Sequence, residues 1–536
     1  MQLNTSVSTC DNELEYYKQR YNQLETRNQE LQNKIIELET NHKQLYDEYL
    51  IVKEQRDLLV YKRFMRSAEQ LLADDKQPLL FIEEAGEPEA KEEKAQEFET
   101  IKSFTRRKAG RKPLSANLER KERTIDIPES EKICACGAKL TKIGEEISEK
   151  LVMIPMQVYV DHQIRPKYAC RQCEGTEDED KPVVRIAPVE KSMIPRSIAS
   201  DSVLVIIITQ KFEMHLPYYR QEKQFEQIGV TISRQDMANW QQQVFNVLKP
   251  LFILLKAVVK TGPVLRMDET PVQVMREEGR ENAQKSYMWA ALGGPPDKTV
   301  AWYEYHPTHA AYNAKAFLEG YSGYLQTDGY DAYDSAVKDM PGIVHVGCLA
   351  HVRRHFFEAE KAGGQGKTAG EALEYIRKLY RIERELRDEK AGKKKTDEEF
   401  LIKRKEQAGP VLNDFKTWLL DHVDKVPPSL LLGKAVSYSL GQWDKLVRYL
   451  ESPYLTPDNN ACENAIRPFV MGRRSWLFSQ SPDGAESSCG MYTLIETAKR
   501  NGLIPREYLT ALFKKAPLAS SPQDWEKLLP WNIFKS

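Results

Sequence analysis

This sequence predicts a multidomain α/β protein, its α/β core split by a helical insertion and preceded by three smaller elements. Three observations predict it. Apolar residues recur every seven positions near the N-terminus, four cysteines fall in two tight pairs further on, and short β-rich runs crowd into residues 261–360. At 536 residues the chain exceeds what one hydrophobic core usually serves. Its hydrophobic share is 41%, and no run approaches the roughly 18 apolar residues that span a bilayer, so no membrane association is expected. The start, MQLNTSVSTCDNELEYY, shows no basic stretch followed by an apolar one. A reducing cytoplasm is the expected location, where eight sparse cysteines suit metal binding better than disulfides.

Residues 1–75 predict a coiled coil. One seam is apolar throughout (Tyr17, Leu24, Leu31, Leu38, Leu45, Val52, Leu59), and the other is mixed (Leu14, Tyr21, Asn28, Ile35, His42, Tyr49, Arg56). Such a helix would join protomers into a homo-oligomer; a single long helix packed on the protein body is the alternative. Pro78 ends it. Residues 76–104 form an acidic linker, with eight acids against two lysines over 82–99. A basic arm follows over 105–130, within a stretch (102–123) of nine Lys/Arg against two acids. The net charge of −1 argues against a uniformly basic nucleic-acid coat, so the distribution carries the signal.

Residues 131–185 hold Cys134-x-Cys136 and Cys170-x-x-Cys173 around a strand-like stretch. Two tight pairs can close a tetrahedral thiolate site for structural Zn²⁺, and so small a segment needs that metal to fold. Residues 186–260 read as helical. A break at Ile228-Gly229-Val230 separates two short helices, the second opening near Ser233, in the manner of a helix-turn-helix. Arg234, Gln235 and Asn239 stand near its start, and Arg234 is a candidate DNA contact. Helical pairs of this kind also occur without any DNA role.

From 261 to 360 the strings VLRMD (264–268), SYMWAAL (286–292) and TVAWYEY (299–305) read as strands. The helical HAAYNAKAFLEGY (309–321), then YLQTD (324–328), then IVHVG (343–347) leading to a helix at Leu349 complete the order of an RNase H-like core. Residues 361–445 are the helical insertion, 446–500 the second part of the core with a helix over 459–475, and 501–536 a proline-punctuated helical tail.

Asp268 and Asp328 each end a predicted strand, and Glu463 follows a helix-start signal at Asp458, Asn459 or Asn460. Three such carboxylates suit hard divalent ions, Mg²⁺ or Mn²⁺, in phosphoryl transfer. Glu269, Asp331 and Asp334 are read as neighbours, not ligands. Cys348 and His351 form Cys-x-x-His, two ligands short of a zinc site and readable as a buried thiol beside a core histidine; the pair also resembles the C/D-x-x-H signature of several transposase families with helical insertions, which implies a role in organising the site or the DNA strand. Arg353, Arg354, Arg467, Arg473 and Arg474 offer phosphate-matching forks, with Arg467 one helical turn from Glu463, and Trp476 offers a stacking face.

The strings MDETPVQV (267–274), QTDGYDAY (326–333), GCLAHVRRHFFEA (347–359) and DNNACENAIRPFVMGRRSWLFSQS (458–481) closely resemble the insertion sequence 66 family of DDE transposases. So do RFMRSAEQL (63–71), RPKYACRQCEG (165–175) and HLPYYRQEKQFEQIGVTISRQDMANW (215–240). The resemblance implies a triad of Asp268, Asp328 and Glu463 and Mg²⁺-dependent cleavage and strand transfer. It further implies a zinc-finger-like element over 131–185, double-stranded DNA (element ends and target) as partner, and accessory proteins of the same element. Two rivals remain: a nuclease on the same fold that cleaves without joining, and a DNA-binding regulator with a degenerate core.

Overall fold

The computed structural model describes residues 5–64, 157–169, 184–362, 366–393 and 396–535. The acidic linker, the basic arm and the four paired cysteines lie outside them. By its contacts the chain divides into two units, Gly86–Pro166 and the remainder. In the first, only residues 157–166 are described, and they have no regular structure.

In the second unit, helix α1 (Thr5–Phe64) runs unbroken for 60 residues, as expected of a segment free of Pro and Gly. All seven residues of its apolar seam are exposed. Its end touches the body: Tyr61 packs edge-on against Phe357, Lys62 reaches Glu358 at 3.2 Å, and Glu54 accepts the Leu431 N–H. A two-stranded antiparallel ribbon, β1 (Lys167–Ala169) and β2 (Val184–Ile186), follows.

Four helices come next: α2 (Asp201–Phe212), α3 (Tyr218–Gln227), α4 (Arg234–Val247) and α5 (Lys249–Val259). The expected break between α3 and α4 is made by Gly229 at φ +79°, a conformation that L side chains rarely adopt. A reciprocal Ser233–Asp236 capping box then opens α4.

The core sheet contains β3 (Val264–Val274), β4 (Lys285–Gly293) and β5 (Val300–His306), antiparallel neighbours joined by short turns. Helix α6 (Ala311–Leu318) crosses to β6 (Gly323–Gln326), α7 (Asp331–Val337) leads to β7 (Ile343–Val346), and α8 (Leu349–Lys361) leaves the sheet. The strand order is β5-β4-β3-β6-β7, with β6 and β7 parallel to β3. One expectation is corrected. Asp268 is not at the tip of its strand, because β4 holds β3 in register through Gln273 and carries it six residues further. Helix α7 was not anticipated either; its DAYDSAV is too short for helical periodicity to register.

The insertion forms α9 (Gly366–Lys393), α10 (Asp397–Val423), α11 (Leu431–Gly441) and α12 (Trp443–Leu446), closed by a 3-10 turn, Val447–Glu451. Phe356, Phe415, Leu412, Ile376 and Val436 share one apolar core between α8 and the insertion. Fully buried Arg404 of α10 donates to the carbonyls of Tyr449, Ser452 and Leu455 and pairs with Glu383 at 2.7 Å. It thereby fixes the segment leading into α13 (Asn460–Trp476).

After α13, strand β8 (Phe478–Ser479) pairs in parallel with the far end of β3, and α14 (Pro482–Arg500) covers the sheet. Thr497 and Thr493 of α14 accept the N–H groups of Ala301 and Tyr303, both at 3.1 Å, which closes the β5 edge to further pairing. Helices α15 (Pro505–Lys515) and α16 (Pro522–Lys527) finish the chain.

Candidate active site at a gap in the sheet

The site stands where β3 has a neighbour on one side only. β6 leaves β3 after the pair Arg266↔Gln326, and β8 joins it again only at Gln273. Between those points β3 presents unpaired backbone, and α13 fills the gap: Asn459 Nδ2 donates to the Met267 carbonyl at 2.9 Å, and Arg473 donates to the carbonyl of Pro271. Asp268 and Asp328 each lie two residues past Arg266↔Gln326, the last pair between β3 and β6, so the parallel register brings them abreast. The equal offset of 60 residues is the sequence trace of that register.

Glu463 arrives in the first turn of α13, and Cys348 precedes the first turn of α8. The two helix N-termini are tied together, since the Asn459 N–H donates to Cys348 Sγ at 3.2 Å and the Leu349 N–H to the Pro457 carbonyl at 2.9 Å. Both therefore turn the positive ends of their dipoles toward the carboxylates. Of the helix-start candidates Asn459 is the N-cap, but its side-chain amide is spent on β3 and makes no capping bond; Asp458, just before it, accepts from the Asn460 N–H at 3.1 Å.

The three carboxyls act on one another through their charges. Burial pushes Asp268 well above the usual carboxylate range, and the charges of Glu269, Glu463 and Asp328 push it further. Glu463 rises to about 8, through burial and then Asp458 and Asp328, with Arg354 and Arg467 opposing. Asp268 accepts the Glu269 N–H at 2.8 Å and Asp328 the Tyr330 N–H at 3.0 Å. Glu463 is buried, and neither of its oxygens has a hydrogen-bond partner among the described residues. A ring nitrogen of His351 lies 3.9 Å from it. Burial pushes that ring below its ordinary value while Asp328 opposes.

The neighbouring acids are occupied. Glu269 accepts from His309 at 2.6 Å and from the Tyr333 hydroxyl, and His309 lies flat between the rings of Tyr287 and Tyr330. Asp334 binds His345 at 2.8 Å and Lys445 at 2.5 Å, which holds it down at about 2. His345 in turn meets Thr327, the residue before Asp328, at 2.8 Å. The insertion reaches this turn as well: the Tyr438 hydroxyl packs so closely on Gly329 that a Cβ there would meet it at 2.4 Å. Sequence spacing gave no sign of the Glu269–His309 pair, the Thr327–His345–Asp334 chain or Tyr438.

The remaining candidates are spread out. Arg353 and Arg354 sit half-buried on α8, Arg354 being 3.8 Å from Glu358. Arg467 is half-buried one turn beyond Glu463, and Arg474 is exposed near the end of α13. Arg473 is committed to β3, and the Trp476 ring packs edge-on against Phe212, with the Lys211 ammonium 5.8 Å from its centre. Arg234 is exposed in the first turn of α4, its N–H donating to Glu222 at 3.1 Å.

Comparison with known proteins supplies the family. Residues 196–487 match "Transposase IS66 family", 131–174 "zinc-finger binding domain of transposase IS66", and 493–531 "IS66 C-terminal element". Residues 52–123 match "Transposase C of IS166 homeodomain". Three relatives come from Sinorhizobium fredii (strain NBRC 101917 / NGR234), all named as uncharacterized proteins. The protein y4jD is 30% identical over 431 residues, 78% of this chain and 81% of its own length. The protein y4hP is 29% identical over 81% of this chain and 78% of its own, and y4qI is 30% identical over 79% and 77%. Among the described residues no single helix is long and apolar enough to cross a membrane. The transposase region covers more than half of the chain, the zinc-finger and C-terminal elements flank it in order, and the chain belongs to the IS66 family of transposases.

Proposed function

We propose that this transposase cuts DNA at the ends of an insertion sequence and joins them to target DNA by a DDE two-metal reaction. The observation that carries the reading is Glu463: a deeply buried carboxylate with both oxygens unpartnered, facing the charges of Asp268 and Asp328. Buried charge persists only where something offsets it, so the crowding around Asp268 fits a divalent ion, Mg²⁺ or Mn²⁺. The strand order, with an antiparallel β5-β4-β3 half and parallel β6 and β7, supports an RNase H-like core.

In this reading Asp268 and Asp328 hold the ions and Glu463 completes the site and orients the attacking water or 3′-hydroxyl. Bound divalent ions supply positive charge against the phosphate and acidify the attacking oxygen. Arg353, Arg354, Arg467 and Arg474 bind phosphates along the site, Arg473 and Trp476 brace the far end of α13 beside them, and Arg234 meets DNA from α4. Cys348 and His351 organise the site by fixing the ends of α8 and α13. Cys134, Cys136, Cys170 and Cys173 hold a structural Zn²⁺; α1 joins protomers as a coiled coil through its exposed seam; accessory proteins of the same element assist.

The test supplies uncut and pre-cleaved element ends, each with a target plasmid, to the full chain with Mg²⁺. Joined product is expected from the wild type and not from Asp268→Asn, Asp328→Asn or Glu463→Gln. Cleavage without joining would favour a nuclease, and indifference to all three substitutions a DNA-binding regulator.

A further inference from the structure

The ligand set around Glu463 contains more than hard oxygen. Cys348 Sγ, a ring nitrogen of His351 and a carboxylate oxygen of Glu463 lie within 4.8 Å of one another. Two helix ends bring them together, and the Asn459–Cys348 hydrogen bond locks those ends. Cys348 is 1% exposed and Glu463 4%. Reading Cys348 and His351 as ordinary core residues accounts for a thiol and a ring, yet leaves an uncompensated carboxylate between them. Magnesium does not explain the pair, because it takes oxygen ligands and keeps its waters. Sulfur, imidazole and carboxylate together are donors for zinc and its neighbours, and three protein ligands leave a fourth position open.

We propose that Cys348, His351 and Glu463 form a site for a borderline divalent ion, zinc foremost, distinct from the magnesium position at Asp268 and Asp328. The Cys348 thiol, and the Glu463 carboxyl where it is protonated, would each release a proton to solvent as the ion enters. The fourth position is left to water or a phosphate oxygen. A carboxylate has two oxygens, so Glu463 can serve both positions, and an ion here would pin it between α8 and α13. The site itself does not require the strand-transfer reading; only its consequence for catalysis does.

The test counts zinc bound per chain in the full-length protein after equilibration with Zn²⁺ and removal of loosely held ion. Wild type is expected to hold one more zinc than Cys348→Ser or His351→Gln. Asp268→Asn should keep that zinc while losing DNA joining, which separates a failure here from a failure of the proposed reaction. Replacing a buried cysteine can itself loosen the fold, so Co²⁺ is the second probe. It is applied to a full chain in which Cys134, Cys136, Cys170 and Cys173 are serine and the cluster is intact. Tetrahedral visible bands with a sulfur-to-cobalt charge-transfer band support the site. Equal zinc counts in wild type and both variants, or a cobalt spectrum without sulfur ligation, overturn it.

Discussion

Two glutamates beside the sheet gap, Glu269 and Glu463, differ in their partners and hardly at all in depth. Glu269, with its side chain 7% exposed, is answered by His309 and Tyr333; Glu463, at 5%, is answered by no hydrogen bond among the described residues. Burial therefore does not separate the two; hydrogen-bond satisfaction does. Glu269 has its charge answered within the protein, whereas in the proposed reading the compensation of Glu463 comes from outside.

Substituting the two glutamates breaks this comparison most sharply. Glu463→Gln is expected to lower joining by about 10²–10³-fold or more, the scale of losing a group that stabilises developing charge. The same change should leave thermal stability near neutral pH equal or higher, because it removes a buried carboxyl that has to take up a proton on folding. Glu269→Ala should do the reverse in stability, costing about 1–3 kcal/mol as His309 and Tyr333 lose their acceptor. Thermal melts of the two variants check this, and a Glu463→Gln protein clearly less stable than wild type would count against the division.

Next in size is a pH effect confined to the unanswered side. The folded-state value of Glu463 is raised from an ordinary 4.5 to about 8, so the native chain holds a proton that the unfolded chain has released. Metal-free stability should be fully present below about 4.5 and fall as pH rises toward 8. Glu463→Gln should flatten that fall, and added Mg²⁺ should raise the melting temperature more at pH 8 than at pH 5. A metal-free protein with no such slope would remove Glu463 from the uncompensated class. The smallest effect belongs to the answered side: Lys445→Ala takes away one partner of the half-exposed Asp334 and should cost no more than about 1 kcal/mol in denaturant unfolding.

Much of this frame is legible in the residues. Short β-rich apolar runs mark β4 and β5, the Gly229 break and Ser233 cap mark the α3–α4 turn, and the seven-residue repeat marks α1. The 60-residue offset of Asp268 and Asp328 carries their register once both strands are recognised. What stays hidden depends on pairing between distant segments. Nothing within VLRMD reveals that β4 carries β3 past Asp268, or that β8 returns to its open edge. Likewise the distance from Cys348 to Glu463 spans the whole insertion, so Cys-x-x-His looks incomplete until α13 docks beside α8. The insertion itself reads as charged helix; its grip on the Glu463 segment runs largely through a buried arginine, Arg404, helped by Arg387, both of which sequence shows only as further charges.

The central claim is that Asp268, Asp328 and Glu463 share one ion-holding pocket. Mn²⁺ binding to the full-length protein, followed by electron paramagnetic resonance, tests it most directly. The account predicts that Asp268→Asn, Asp328→Asn and Glu463→Gln each weaken binding at the same site, whereas Asp331→Asn leaves it unchanged. Mn²⁺ affinity indifferent to any one of the three carboxylates would contradict the shared pocket.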